Sequence, residues 1–310
     1  MTRLLLPLVC LPALLATHCS AAGGDDGIAS GGGSGGGDAG YDVLTPGGSG
    51  GGGLVDGAPN TDSSGGELVG EVFAHSDTTL YKLEPVSKTV TTVGEFDCLT
   101  AGGMWDIAID KNGNMFGVAA AIGSAALVRI TPNTAHCEVV VEAPSLPNSL
   151  AFVPAGTLDQ NKEVLVGFDR TKFLRIDGTS GAVEQIGSLN PNDTGEMWES
   201  SGDIVSIIDD KTYATVKPNL GGTTYGTDTI VEIDPQTGRA LREIGDTGFY
   251  GLWGLGYWGG VAYGFSEGGE LCQIDLMTGK GVGIPIPNLS PDLSFWGAGV
   301  TTAAPIEMPK

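Results

Sequence analysis

The chain has few basic residues and few histidines. Lysine and arginine number 15 against 37 aspartates and glutamates, and only three histidines occur in 310 residues. The formal net charge of −22 repels phosphate backbones, which argues against a direct interaction with nucleic acid. Solubility alone explains such acidity, and cation binding or attraction to a basic partner are the alternatives.

Long apolar runs and helical periodicity are also missing. The longest apolar run, Leu4–Ala16, is too short to span a membrane. It follows Arg3, an arrangement typical of an export signal. Because no amphipathic helical stretch follows, the remainder of the chain is expected to be all-β.

The end of this leader allows two processing routes. Ser20, Ala21 and Ala22 supply the small residues that an ordinary signal peptidase requires. Cys19 before a Gly-rich segment is instead typical of a bacterial lipoprotein, although His18 stands where a small residue is expected. We predict a signal peptide over residues 1–22. The alternative route is lipidation of Cys19, and a lipid at Cys19 would be the only attachment of the protein to a membrane.

Residues 23–67 consist mainly of Gly, Ser and Asp. Such a composition buries too little apolar surface to offset the entropy of ordering, so we predict a disordered tether. A phosphate-binding loop is excluded because no Gly-Lys-Ser/Thr sequence follows the Gly runs.

A strand unit recurs five times after the tether. Its clearest copy, Ile230–Gly245, alternates apolar and polar residues around Asp234–Gly238, whose composition is typical of a hairpin turn. One apolar position of the unit recurs at intervals of 47, 46, 57 and 41 residues, at Leu83, Ile130, Ile176, Ile233 and Ile274. Strand repeats of roughly 40–50 residues predict propeller blades.

The two ends of the repeat region complement each other. Residues 70–94 supply three strands without an inner strand, whereas Phe295–Thr301 supplies an inner strand without a blade. Joining them completes a fifth blade and removes the open sheet edges. We predict a five-bladed β-propeller over residues 68–305, with a tail over 306–310. A six-bladed ring is the alternative, but the 57-residue interval is too short to contain another blade.

The repeat pattern combines an inner strand, an Asn-Gly-type turn, a Phe-Gly-Val or Tyr-Gly-Phe strand and a Leu-x-x-Ile-Asp…Thr-Gly hairpin, and the turns at residues 84–88 and 131–135 are degenerate copies of its hairpin turn. This pattern resembles the secreted or lipid-anchored bacterial β-propellers with NHL/YVTN-like repeats. The resemblance implies the fold but no activity, because such propellers serve as binding scaffolds, hydrolases and lyases.

Three cysteines remain in the repeat region: Cys98, Cys137 and Cys272. An odd number in an oxidising compartment allows one disulfide and one free thiol. Cys98 and Cys137 adjoin the last strands of neighbouring repeats, so we predict that they pair and that Cys272 is a buried thiol. No spacing of Cys and His indicates zinc.

The candidate ligand-binding residues belong to one face of the predicted ring, where the loops exceed the usual hairpin length. They are Trp105, Trp253 and Trp296 at the starts of inner strands, Trp198 and Tyr250 in nearby loops, and the carboxylates Asp106 and Asp203. The tryptophans either pack between blades or form an aromatic rim suited to a sugar or a peptide. The two carboxylates either are solvated or hydrogen-bonded, or serve as ligands of Ca²⁺ or as an acid–base pair.

The sequence therefore predicts an exported, monomeric and non-enzymatic binding propeller, secreted or held at the cell envelope. Its predicted partner is an extracellular glycan, peptide or protein, and Ca²⁺ is the one cofactor considered. The alternative is an extracellular hydrolase or lyase with an acidic site at the mouth of the channel. Against it, the chain has no Gly-x-Ser-x-Gly motif, and His75, predicted on a surface loop, is its only plausible base.

Overall fold

The structure, a computed structural model, describes residues 71–190, 198–220, 223–224 and 226–308. The predicted signal peptide and tether lie outside these residues. The described residues form strands, turns and loops. None of them belongs to a helix long and apolar enough to cross a membrane.

The strands form five antiparallel sheets. The first sheet contains the last strand of the chain and the first three strands of the described region. The second sheet contains the next four strands in chain order. Blade one contains β1 (Val72–His75), β2 (Thr79–Glu84), β3 (Thr89–Glu95) and β21 (Gly297–Val300); blade two contains β4 (Met104–Ile109), β5 (Met115–Ala121), β6 (Ser124–Ile130) and β7 (Cys137–Ala143).

The remaining three sheets follow in chain order. Blade three contains β8 (Ala151–Val153), β9 (Val164–Asp169), β10 (Lys172–Ile176) and β11 (Val183–Ser188). Blade four contains β12 (Trp198–Ser206), β13 (Thr212–Leu220), β14 (Thr223–Thr224), β15 (Thr229–Ile233) and β16 (Ala240–Asp246). Blade five contains β17 (Leu252–Trp258), β18 (Val261–Ser266), β19 (Leu271–Ile274) and β20 (Gly281–Ile284).

The ring closes where the sequence predicts. Strand β21 pairs antiparallel with β1, with Val300 opposite Val72 and Gly297 opposite His75. The last inner strand thus completes the first blade, and both the number of blades and the mode of closure are confirmed. The chain is a five-bladed β-propeller.

The hairpin turn at Asp234 shows why the repeat folds as it does. The Asp234 carboxylate accepts hydrogen bonds from the Gln236 N–H at 2.9 Å and from the Thr237 hydroxyl at 2.8 Å. Gly238 has a φ of 69°, which glycine adopts without steric cost. The side-chain bonds and the glycine together fix a tight reversal between β15 and β16.

The core consists of layers between neighbouring blades. One layer joins Phe73 and Leu80 of blade one to Ile107, Met115 and Ile130 of blade two, all at most 3% exposed. Inner and middle strands are buried on both faces, whereas most residues of an outer strand such as β7 are exposed or partly buried. This packing holds the inner strands, and therefore the mouth of the channel, in fixed positions.

A disulfide joins the first two blades. Cys98 follows β3, and Cys137 begins β7, the outer strand of blade two. Cys272 is a free, buried thiol within β19, and burial raises its pKa to about 12. The thiol is therefore protonated and unreactive at neutral pH.

Blade four is longer than the sequence pattern indicates. Its two inner strands, β12 and β13, have nine residues each, and Trp198 pairs with Pro218. The prediction that Trp198 lies in a loop was therefore wrong. The β12–β13 register shifts between Ser200 and Ile204, and this irregularity hid the beginning of the strand from a pattern of strict alternation.

Candidate functional site

A cavity of about 480 Å³ opens at the mouth of the channel. Each blade contributes the residue at one equivalent position near the start of its inner strand. These residues are Trp296, Trp105, Asn148, Gly202 and Trp253 from blades one to five, joined by Ser200 and Ser201 of β12. The sequence prediction named the three tryptophans but missed Asn148, which is detectable by carrying the tryptophan position through all five repeats. It also missed Ser200 and Ser201, which precede that position in β12 and carry no repeat signal.

The three tryptophans are only half-buried. Trp258, by contrast, lies in a core layer with 6% of its surface exposed. The Trp253 and Trp296 rings have centroids 6.0 Å apart and planes at 89°. The tryptophans therefore do not simply fill space between blades, because part of each indole faces the cavity.

Asp106 follows Trp105 in β4 and is 1% exposed. Its carboxylate accepts hydrogen bonds from the Ile107 N–H at 2.9 Å and from the Leu150 N–H of blade three at 2.6 Å. A Cβ atom at Gly297 of blade one would collide with this carboxylate. Asp106 therefore joins the inner strands of neighbouring blades, and Gly297 leaves the space that it occupies.

Asp203 occupies the corresponding position in blade four and is fully buried. Its carboxyl group accepts hydrogen bonds from the Ile204 N–H at 2.6 Å and from the Leu255 N–H of blade five at 3.0 Å. The Asp203 and Asp106 carboxyl groups also contact each other. Because blades two and four are not adjacent, this contact crosses the axis of the ring.

Burial raises the pKa of both carboxyl groups well above the ordinary value of 3.8. For Asp203 the negative charge of Asp106 raises the pKa further. The backbone N–H groups of Leu150 and Ile107 act in the opposite direction on the pKa of Asp106. The two groups can share one proton, with the negative charge favoured on Asp106.

Neither carboxylate lines the cavity. Both carboxyl groups accept hydrogen bonds from backbone N–H groups and do not face the cavity. This arrangement matches the expectation that they are hydrogen-bonded within the fold. Within the described ranges, no three His, Cys, Asp or Glu side chains are grouped so that they could hold a metal ion. An acid–base or Ca²⁺ role for Asp106 and Asp203 has no support in this geometry.

Asp228, which the sequence interpretation did not select, repeats the same arrangement. It is fully buried, and its carboxylate accepts a hydrogen bond from the Leu252 N–H at 3.0 Å. The Lys217 ammonium group lies 3.7 Å away. Burial raises the pKa of Asp228. Together with Asp106 and Asp203, it shows that buried carboxylates accept hydrogen bonds from backbone N–H groups of the inner strands in neighbouring blades.

Trp198 and Tyr250 do not line the cavity. Trp198 packs partly buried against the core layer of blades three and four, and its backbone N–H donates to the Asn190 side chain at 2.8 Å. Tyr250 is 66% exposed in the loop before β17. Of the seven candidate residues, only Trp105, Trp253 and Trp296 line the cavity.

His75 is not on a surface loop, so that prediction was wrong. It ends β1 and is fully buried. Its Nδ1 lies 2.7 Å from the Ser76 carbonyl oxygen, and burial lowers its pKa to about 4. The imidazole is therefore neutral at physiological pH, with Nδ1–H as the donor, and it is held inside the ring rather than presented to a substrate.

No protein-family model and no curated protein match the chain. Similar solved structures include the Nidogen/Laminin complex, with 11% identity, a TM-score of 0.44 and coverage of 78% of this chain and 84% of that chain. The PQQ-bound aldose sugar dehydrogenase of Streptomyces coelicolor has 13% identity, a TM-score of 0.39 and coverage of 76% and 82%. TolB of Acinetobacter baumannii has 13% identity, a TM-score of 0.40 and coverage of 72% and 51%. Similarity at this level carries no conclusion about ligand or activity.

Proposed function

We propose that the protein is an exported, non-enzymatic binding propeller that holds part of an extracellular glycan, peptide or protein in the tryptophan cavity. The observation that carries the proposal is the convergence of Trp105, Trp253 and Trp296, each half-buried, on one cavity of about 480 Å³. Such a concave, mainly aromatic site with a few polar groups is typical of ligand recognition. Tryptophan is also enriched among the few residues that carry most of the binding energy at protein interfaces.

The composition of the cavity wall supports binding rather than catalysis. Its described residues supply indole, amide and hydroxyl groups but no charged group. The carboxylates nearest in sequence, Asp106 and Asp203, are buried and already bonded to backbone N–H groups. General acid–base catalysis needs a titratable group within hydrogen-bond distance of the substrate, so no observation favours the hydrolase or lyase alternative.

Replacement of a cavity tryptophan with alanine is expected to weaken binding by about 30-fold, because truncation of an aromatic anchor costs about 2 kcal/mol or more. The test is isothermal titration of the full chain with chitotriose, cellotriose and trialanine, using the W105A, W253A and W296A variants. W258F is the matched control, since Trp258 lies in the core. The proposal fails if binding is the same in all variants, or if neither these probes nor a cationic ligand such as choline binds.

Export is supported by the apolar leader, residues 4–16, and by the disulfide between Cys98 and Cys137. Disulfides persist mainly in oxidising compartments. Mass spectrometry of the N-terminal peptide of the chain expressed in a bacterium should give a start at Cys19 with an added lipid, or a start after Ala22. A retained Met1 would contradict export, and only the acylated form would be lost in C19S.

A further inference from the structure

The cavity has two chemically different halves. Blades five, one and two, which are neighbours in the ring, supply Trp253, Trp296 and Trp105. Blades three and four supply the Asn148 amide and the Ser200 hydroxyl. A ligand that fills the cavity therefore meets an aromatic wall on one side and hydrogen-bonding groups on the other.

The aromatic wall is not flat. The Trp253 and Trp296 ring planes stand at 89° with centroids 6.0 Å apart, so the two indoles cannot form a single platform. A flat sugar ring stacks on one plane at a time, whereas a rounded group can contact two or three rings at once. The shape of the wall thus favours a compact, rounded apolar group.

The charge around the cavity favours a cation. The face of an indole ring is the negative end of its quadrupole, and no Lys or Arg is among the described lining residues. Asp106 and Asp203 follow the lining residues Trp105 and Gly202 directly in sequence, so the groups behind the wall are carboxyl groups and not cations. The chain as a whole carries −22, so anionic ligands are repelled.

We propose that the tryptophan cavity recognises a quaternary ammonium group, such as the trimethylammonium of choline or of trimethylated lysine. The group is rounded and apolar in shape yet positively charged, and aromatic cages bind it through cation–π attraction. Asn148 and Ser200 line the same cavity and supply an amide and a hydroxyl for a polar substituent attached to it. This inference rests on the proposed function and names the chemical group that such a glycan, peptide or protein would present.

The test compares two ligands of the same shape that differ in charge. The full chain is titrated with choline and with its uncharged tert-butyl isostere, dimethylbutanol, with tryptophan fluorescence and calorimetry as readouts. Choline is expected to bind about 10-fold or more tightly than the isostere, the range that cation–π attraction at a desolvated site supplies. Trimethyl-lysine amide and phosphocholine are titrated in parallel; their relative affinities identify a peptide or a phosphocholine-bearing partner as the source.

The variants locate the site. W253A and W296A should each reduce choline affinity about 10-fold or more, W253F should reduce it less because a ring remains, and W258F should not change it. Equal affinity for choline and its isostere would overturn the inference. If choline does not bind but chitotriose, cellotriose or trialanine does, and W253A abolishes that binding, the inference fails while the proposed function stands. If no ligand binds, both fail.

Discussion

Replacement of Cys98 and Cys137 with serine should lower the free energy of unfolding by about 3–4 kcal/mol, since a cross-link between residues 39 positions apart removes that much chain entropy from the unfolded state. The bond also joins blade one, the blade that closes the ring, to blade two. The measurement is urea unfolding followed by tryptophan fluorescence.

Reducing agent provides the matched control for the disulfide. It should destabilise the native protein by the same amount, about 3–4 kcal/mol, and leave the double-serine variant unchanged. C272A lacks the free thiol but retains the bond, so it should keep its sensitivity to reduction. A native protein whose unfolding is insensitive to reduction would contradict a stabilising disulfide.

The second large effect is expected for Asp203→Ala, which should cost about 3–5 kcal/mol of unfolding free energy. The substitution leaves the buried N–H groups of Ile204 and Leu255 without their acceptor, and each unpaired buried donor costs about 1–3 kcal/mol. It also removes the partner that shares a proton with Asp106. Urea unfolding at pH 5 measures the loss.

Two further variants separate this effect from a simple loss of charge. D203N keeps one amide oxygen as an acceptor and should cost less than D203A. Asp292→Ala removes an exposed carboxylate and should change the unfolding free energy by less than about 0.5 kcal/mol. Equal effects of D203A and D292A would contradict a structural role for the buried pair.

The same pair predicts a dependence on pH. A carboxyl group whose pKa is raised on folding contributes stability below its unfolded pKa, near 3.8, and that stability is lost as the pH rises through the folded pKa. The native protein has two such groups here, and D203N has one. The stability difference between them should therefore narrow from pH 5 to pH 8, and a wider difference at pH 8 would contradict the raised pKa values.

The fold was predictable because its determinants are local and repeated. The turn at Asp234 is fixed by bonds among residues two and three positions apart, so its composition is visible again at Asp177 and Asp275. Closure of the ring was predictable because the first blade lacks an inner strand in sequence and the C-terminal segment supplies an inner strand without a blade. At the register shift in β12 the alternation of apolar and polar residues breaks. The sequence pattern therefore did not show where that strand begins.

The site was only partly predictable because its contacts are between blades. Trp105 was recognisable by residue type, whereas Asn148 matters through its place in the ring. Nothing in the residues around Asp106 reveals that its carboxylate reaches the Leu150 N–H of the next blade. A carboxylate exposed at the mouth and one buried beneath it have the same local sequence, and only the assembled ring distinguishes them.

The central claim is that ligands bind where Trp105, Trp253 and Trp296 converge, and the five tryptophans of the chain allow a direct test. In ¹⁵N-labelled protein each indole N–H gives one NMR signal, and choline, chitotriose, cellotriose and trialanine are added in turn. We predict that a ligand that binds shifts the signals of these three tryptophans and leaves those of Trp198 and Trp258 in place. Shifts confined to Trp198 and Trp258, or no shift with any of the four, would contradict the claim.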